Sequence, residues 1–185
     1  MNIYDFDKTI YDGDSSIDFY KFCIKSNKCL ILHSFKVLLY YLLYFFKQKN
    51  KNEVKEAFFS FLKKIDNPEE IVNKFFNEHK YKIKSFYLAK KHSNDIIISA
   101  SPDFLVAPFA SYLETKDVIA SDVDIHTGKF RKDNCRGINK VKYLKEKYPT
   151  IIVNEVYSDS LSDMPLMEIS KRAYIVKGNK IKKYK

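Results

Sequence analysis

"YDFDKTIYDGDS", residues 4–15, sets four aspartates within ten positions, directly behind the apolar pair Ile3 and Tyr4. The chain as a whole carries a net charge of +10, so its densest negative charge stands where its first strand should end. Residues i and i+2 of a strand face the same way, so a strand over residues 2–6 would send Asp5 and Asp7 into one crevice. Two carboxylates that close are costly unless a cation lies between them or one is protonated. Taken alone, the pair also fits a solvated acidic turn, and the rest of the sequence has to decide.

Working outward, the hydrophobic period changes twice. From residue 15 to about residue 91 the apolar residues recur at helical spacing, and nothing reads as a strand. Within that block Asn67 and Pro68 form a helix start, an N-cap followed by proline in the first turn. After residue 94 short apolar runs return. "DIIISAS" suits a buried parallel strand, and "PDFLVAPFASYL" a helix with Pro102 in its first turn. "DVIASDVDI" and "KFRK" read as a strand and hairpin turning at His126, Thr127 and Gly128. "NKVKYLKEKYP" is a helix, "IIVNEVYSDS" a strand, "DMPLMEISK" a short helix and "RAYIVKG" a last strand. Strands alternating with helices predict an α/β fold with a mainly parallel, Rossmann-like sheet. The expected division is a core of residues 1–14 and 92–185, interrupted by an all-helical cap of residues 15–91. Inserted after the first strand, the cap would sit over the strands' carboxyl ends, where such sheets bind ligands.

Composition narrows the function classes. At 185 residues with 45% hydrophobic residues, four glycines and five prolines, the chain reads as a folded globular protein. Its lysines are scattered, with one concentration in residues 177–185, so the charge suits anionic small molecules and no nucleic acid is expected. Cys23, Cys29 and Cys135 are odd in number and lack CxxC spacing, which argues against a disulfide framework or zinc knuckle and for a reducing cytoplasm. No secretory leader is read at the start. The apolar stretch of residues 29–46 is interrupted by His33, Ser34 and Lys36, leaving residues 37–46 free of charge. Such a run reads first as a buried cap helix, then as a peripheral membrane contact, and least as a membrane span.

A second acidic pair weighs against the solvated-turn reading of the first. Asp159 and Asp163 directly follow the apolar run of residues 151–157, so they too would stand at the end of a central strand. Three or four converging carboxylates without His or Cys describe a hard-cation site, for which Mg²⁺ is the obvious candidate. Asp163 also fits the acidic start of a helix. Ser99 and Ser101 lie between a strand and a helix start, where backbone N–H groups suit a phosphate oxygen, although an ordinary cap has the same look. Lys140, near a helix N-terminus, opposes the helix dipole, but any one lysine in this chain also fits a surface position.

In this order DFDKT (Asp5 to Thr9), IIISAS (ending at Ser101), Lys140 and SDSLSD (Ser158 to Asp163) resemble the four motifs of the haloacid dehalogenase superfamily. The helical insertion resembles its type 1 cap, and the wording around the motifs resembles the phosphoserine-phosphatase-like, or IB, subfamily. The resemblance covers essentially the whole chain. It implies a Mg²⁺-dependent phosphatase acting on a phosphorylated small molecule. It also implies Asp5 as nucleophile, Asp7 as general acid and base, and Ser99, Ser101 and Lys140 as phosphate-binding. Asp5, Asp7 through its carbonyl, Asp159 and Asp163 would hold the metal. Thr9 resembles the motif's conformation-holding hydroxyl. Asp12 and Asp14 fall outside the motif and read as a turn at Gly13 and a helix cap. The aromatic cap stretch suggests a substrate with an apolar part. The rival class is a catalytically silent or regulatory protein on the same fold, its basic tail touching RNA or membrane.

Overall fold

The computed structural model describes residues 1–185. Six strands form one sheet: β1 (Asn2–Tyr4), β2 (Ile96–Pro102), β3 (Asp117–Ser121), β4 (Val153–Ser158), β5 (Ser170–Lys177) and β6 (Lys180–Lys183), in the order β3-β2-β1-β4-β5-β6. Neighbours are parallel except β5 and β6. The chain runs outward from β1 to β3 and then returns to place β4 on the other side of β1. The topological switch point therefore lies between β1 and β4, where open sheets of this kind bind ligands.

Alternation along each strand builds two cores, one on each face of the sheet. Ile3, Ile96, Ile98 and Val156 pack against Val141 and Leu144 of α7 (Ile138–Lys147) and Leu166 and Met167 of α8 (Met164–Glu168). On the other face Tyr4, Tyr157 and Tyr174 stack in register across β1, β4 and β5, with ring centroids 4.6 and 4.7 Å apart. Tyr87 closes edge-on against Tyr4 at 4.7 Å. Further along this face Phe6, Tyr11 and Phe75 meet Phe109 of α6 (Asp103–Tyr112).

Between β1 and β2 lie five helices: α1 (Ser15–Ser26), α2 (His33–Phe45), α3 (Lys51–Phe59), α4 (Pro68–His79) and α5 (Ser85–Lys90). Their starts follow local chemistry. Asp14 caps α1 by accepting from the Ile17 N–H at 3.1 Å, and Asn50 and Glu53 form a reciprocal capping box on α3. Asn67 precedes Pro68 at the start of α4, but in a left-handed conformation and without a side-chain cap bond. Gly13, at φ 140, makes the turn from the sheet into α1.

Three expectations change. The hairpin after β3 shrinks to a single bridge between Val123 and Phe130. Its loop is organised instead by Asp124, whose carboxylate takes hydrogen bonds from Thr127 and Arg131. The lysine-rich tail is an edge strand, β6, with its lysines outward, as charged edges discourage further pairing. The aromatic helix α2 is not buried: His33 is its only buried residue.

Candidate active site

The turn behind β1 assembles the first pair of acids. Asp5 extends the pairing by donating its N–H to the Tyr157 carbonyl at 2.9 Å. The Phe6 carbonyl then accepts from the N–H groups of Thr9, Ile10 and Tyr11, so the chain reverses at once. Lys8 takes up the reversal at φ 59, the left-handed region that side chains avoid. Buried Lys84 braces the turn by donating to the carbonyls of Lys8 and Gly178.

Asp5 and Asp163 share one ammonium. Lys140 is 2% exposed, and its Nζ lies 2.6 Å from Asp5 Oδ1 and 2.7 Å from Asp163 Oδ2. Ser158 Oγ also donates to Asp163 Oδ2 at 2.8 Å. Burial pushes the Asp5 carboxyl up to about 7, against the pull of Lys140. Burial would lower Lys140, but the carboxylates of Asp5 and Asp163 outweigh it and hold the amine above its ordinary range. The trio sets one positive group against two acids, and a further cation would let both acids ionise. Thr9 Oγ1 stands 3.4 Å from Asp5 Oδ2, a weak support.

Asp7 is held separately. Its Oδ2 accepts from Ser101 Oγ at 2.5 Å, and its Oδ1 from the Ser15 N–H at 2.6 Å. Burial, with the charge of Asp14, raises its pKa above the usual carboxylate value despite those bonds. Ser101 reaches the crevice together with Ala100, while Ser99 is fully buried and accepts from the Ser101 N–H at 3.0 Å. Strict alternation would point both serines one way. The register of β2 against β3 shifts between Ile98 and Pro102, and that irregularity separates them.

Asp5, Asp7, Ser101, Lys140, Asp159 and Asp163 all line one crevice of about 480 Å³, within the range of small-molecule sites. Its apolar wall comes from the inserted helices: Ile17, Val37, Val54, Phe58 and Phe59. Two cations in it carried no sequence signal, Lys55 and Arg136. Lys55 Nζ crosses from α3 to donate to the Ala100 carbonyl at 2.9 Å and to Asn134 Oδ1 at 3.1 Å. Burial, then the charge of Arg136, push the Lys55 amine down to about 8.

The crevice suits a hard cation by the chemistry of its donors. It offers carboxylates without His or Cys, and Asp163 Oδ1 is buried with no hydrogen-bond partner. The acids stand apart from one another: no three of them form a ligand-sized cluster, and Lys140 sits between Asp5 and Asp163.

A family model described as haloacid dehalogenase-like hydrolase matches residues 3–168. Among solved structures, a protein of unknown function from Bordetella pertussis Tohama I superimposes with a TM-score of 0.75 at 17% identity, over 94% of this chain and 87% of that one. A phosphoserine phosphohydrolase-like protein from Francisella tularensis subsp. tularensis SCHU S4 gives 0.57 at 15% identity, over 94% and 86%. A substrate-bound phosphoserine phosphatase complex gives 0.52 at 15% identity, over 92% and 82%. At such identities the likeness is one of fold. No curated protein sequence matches the chain.

Proposed function

Because the chain belongs to the haloacid dehalogenase-like hydrolase family, we propose that it is a phosphatase that cleaves a phosphate monoester through an aspartyl-phosphate on Asp5. The observation that carries this reading is the buried Asp5–Lys140–Asp163 trio beside a separately held Asp7. A buried lysine against two acids contributes little net stability for its desolvation cost, so chemistry is the better reason for it. The two functional units are residues 1–14 with 92–185, which carry the trio, and the cap of residues 15–91.

Asp5 attacks phosphorus in line with the leaving oxygen. One P–O bond forms, the ester P–O bond breaks, and Asp7 gives its proton to the departing alkoxide. Its raised pKa favours the protonated form that this step requires. Water then attacks phosphorus, Asp7 takes the proton, and the bond to Asp5 breaks to release phosphate and the free carboxylate. Lys140 and Ser101 hold phosphoryl oxygens, while Ser99, turned away from the crevice, accepts from the Ser101 N–H and positions that residue. Catalysis is therefore chiefly positioning and charge neutralisation. Asp5, the Asp7 carbonyl, Asp159 and Asp163 would hold Mg²⁺, which when bound offsets the repulsion between a carboxylate nucleophile and a dianionic ester.

The apolar wall of Ile17, Val37, Val54, Phe58 and Phe59 supports a substrate with an apolar part. Three unpaired cysteines, with Cys29 exposed, support a reducing cytoplasm as the place of work. The test is turnover of an aryl phosphate with Mg²⁺. Turnover that EDTA abolishes and added Mg²⁺ restores is expected; full activity in EDTA, or none across a panel of polar and apolar phosphate monoesters, would overturn the reading.

A further inference from the structure

Helix α2 and the residues beside it expose a continuous apolar surface. Ile31, Phe35, Leu38, Leu42 and Phe45 follow one another at steps of three and four, one stripe of a helix. Leu32, Leu39, Tyr41 and Phe46 widen it, and Phe35, Phe45 and Phe46 are each at least two-thirds exposed. A soluble monomer rarely leaves so large an apolar patch uncovered.

We propose that this face docks on an anionic lipid bilayer and lies in its interfacial plane. The surrounding charge selects that partner. From residue 19 to residue 52 the chain has seven lysines and no acidic residue. Of these only Lys49 pairs with a carboxylate, that of Glu53. A basic segment around an apolar stripe, with tyrosines such as Tyr41 and Tyr44 at its border, matches what an anionic surface attracts. A second copy of the chain fits worse, because a two-fold contact would set the same lysines against one another with no acids to pair them.

The helix rests on the surface and does not cross the membrane. Residues Lys28–Phe45 are long and apolar enough to span by length and composition alone. The regular helix within them has only 13 residues, about 20 Å at 1.5 Å per residue, against about 30 Å of hydrocarbon. Its start is also fixed in the protein. Tyr20 donates to the Leu30 carbonyl at 2.7 Å, and His33 Nε2 lies 3.0 Å from the Phe58 carbonyl. Val37 of the same helix lines the active-site crevice, so the docked face adjoins that crevice.

The experiment is flotation of the full chain with vesicles of phosphatidylcholine alone or mixed with phosphatidylglycerol, with aryl phosphate turnover followed in parallel. Binding should require the anionic lipid and weaken as salt rises. Phe35→Ser and Phe45→Ser, both at exposed positions, should each reduce it about tenfold and leave turnover of the soluble ester unchanged. No binding to the anionic vesicles, or binding that neither salt nor the serine variants reduce, would overturn the proposal. So would dimerisation through this face that excludes vesicles. Vesicle binding without any turnover would sustain the docking and count against the phosphatase reading alone.

Discussion

Lys140 and Phe45 occupy each other's ordinary places: the lysine is 2% exposed and the phenylalanine 75%. Both arrangements oppose the usual sorting of side chains by polarity, and they answer to different needs. At Lys140 the protein surrounds a desolvated charge with the partners that hold it, Asp5 and Asp163. At Phe45 it leaves apolar area uncovered, the ring meeting edge-on that of Phe46, itself exposed. On the reading proposed above, the charge buried at Lys140 serves the chemistry and the uncovered surface at Phe45 serves docking. Lys84, buried and satisfied by the carbonyls of Lys8 and Gly178, shows that a buried lysine can also be purely structural. The two regions meet at the crevice, to which α2 contributes Val37 and α3 contributes Lys55.

The sharpest way to break this contrast is at the acids. Asp5→Asn should lower turnover roughly 10⁴-fold or more, as loss of a nucleophile does. Asp7→Asn should cost about 10²- to 10⁴-fold, the range for general acid–base catalysis. Steady-state kinetics on an aryl phosphate measures both, and an active Asp5→Asn protein would reject the mechanism.

Stability changes should separate the regions next. Lys140→Ala leaves two buried acids without their counter-charge and should cost about 3–5 kcal/mol in denaturant unfolding. Phe109→Ala, which empties the aromatic core around Phe6, Tyr11 and Phe76, should cost a similar 3–5 kcal/mol. Phe45→Ser, on the exposed helix, should stay within about 0.5 kcal/mol of the parent. A large loss there would mean that α2 is packed in solution after all.

A pH-dependent effect concerns Lys55, which joins the regions. Its amine is lowered to about 8 by burial and Arg136, below the ordinary lysine value. Between that pH and the ordinary value the unfolded chain binds more protons than the folded one, so stability should rise with pH across that window. The penalty is fully present below about pH 8 and is relieved as the amine deprotonates. Lys55→Met should remove that rise, and thermal melts of both proteins from pH 7 to about 10 would show whether their curves converge on the alkaline side.

Much of this was legible in the sequence because it rests on local rules. The change of period at residues 15 and 94 locates the helical insertion, and acids behind apolar runs locate Asp5 and Asp159 directly after β1 and β4, with Asp7 and Asp163 in the turns that follow. What escaped depends on long-range placement. Helical spacing shows that residues 33–45 form a helix, but not whether another element covers it. The separation of Ser99 from Ser101 follows from a register irregularity that no residue type announces. Lys55 is one lysine among many until α3 carries it over Asn134. In β6 only Ile181 supplies an apolar residue, too little alternation to mark a strand.

Phosphorylation of Asp5 is read out by quenching the enzyme during turnover and treating it with hydroxylamine, followed by peptide mass mapping. A hydroxamate on Asp5 is expected, absent without substrate and absent in Asp5→Asn. A hydroxamate on another residue, or steady turnover with no acyl phosphate trapped at any time, would contradict it.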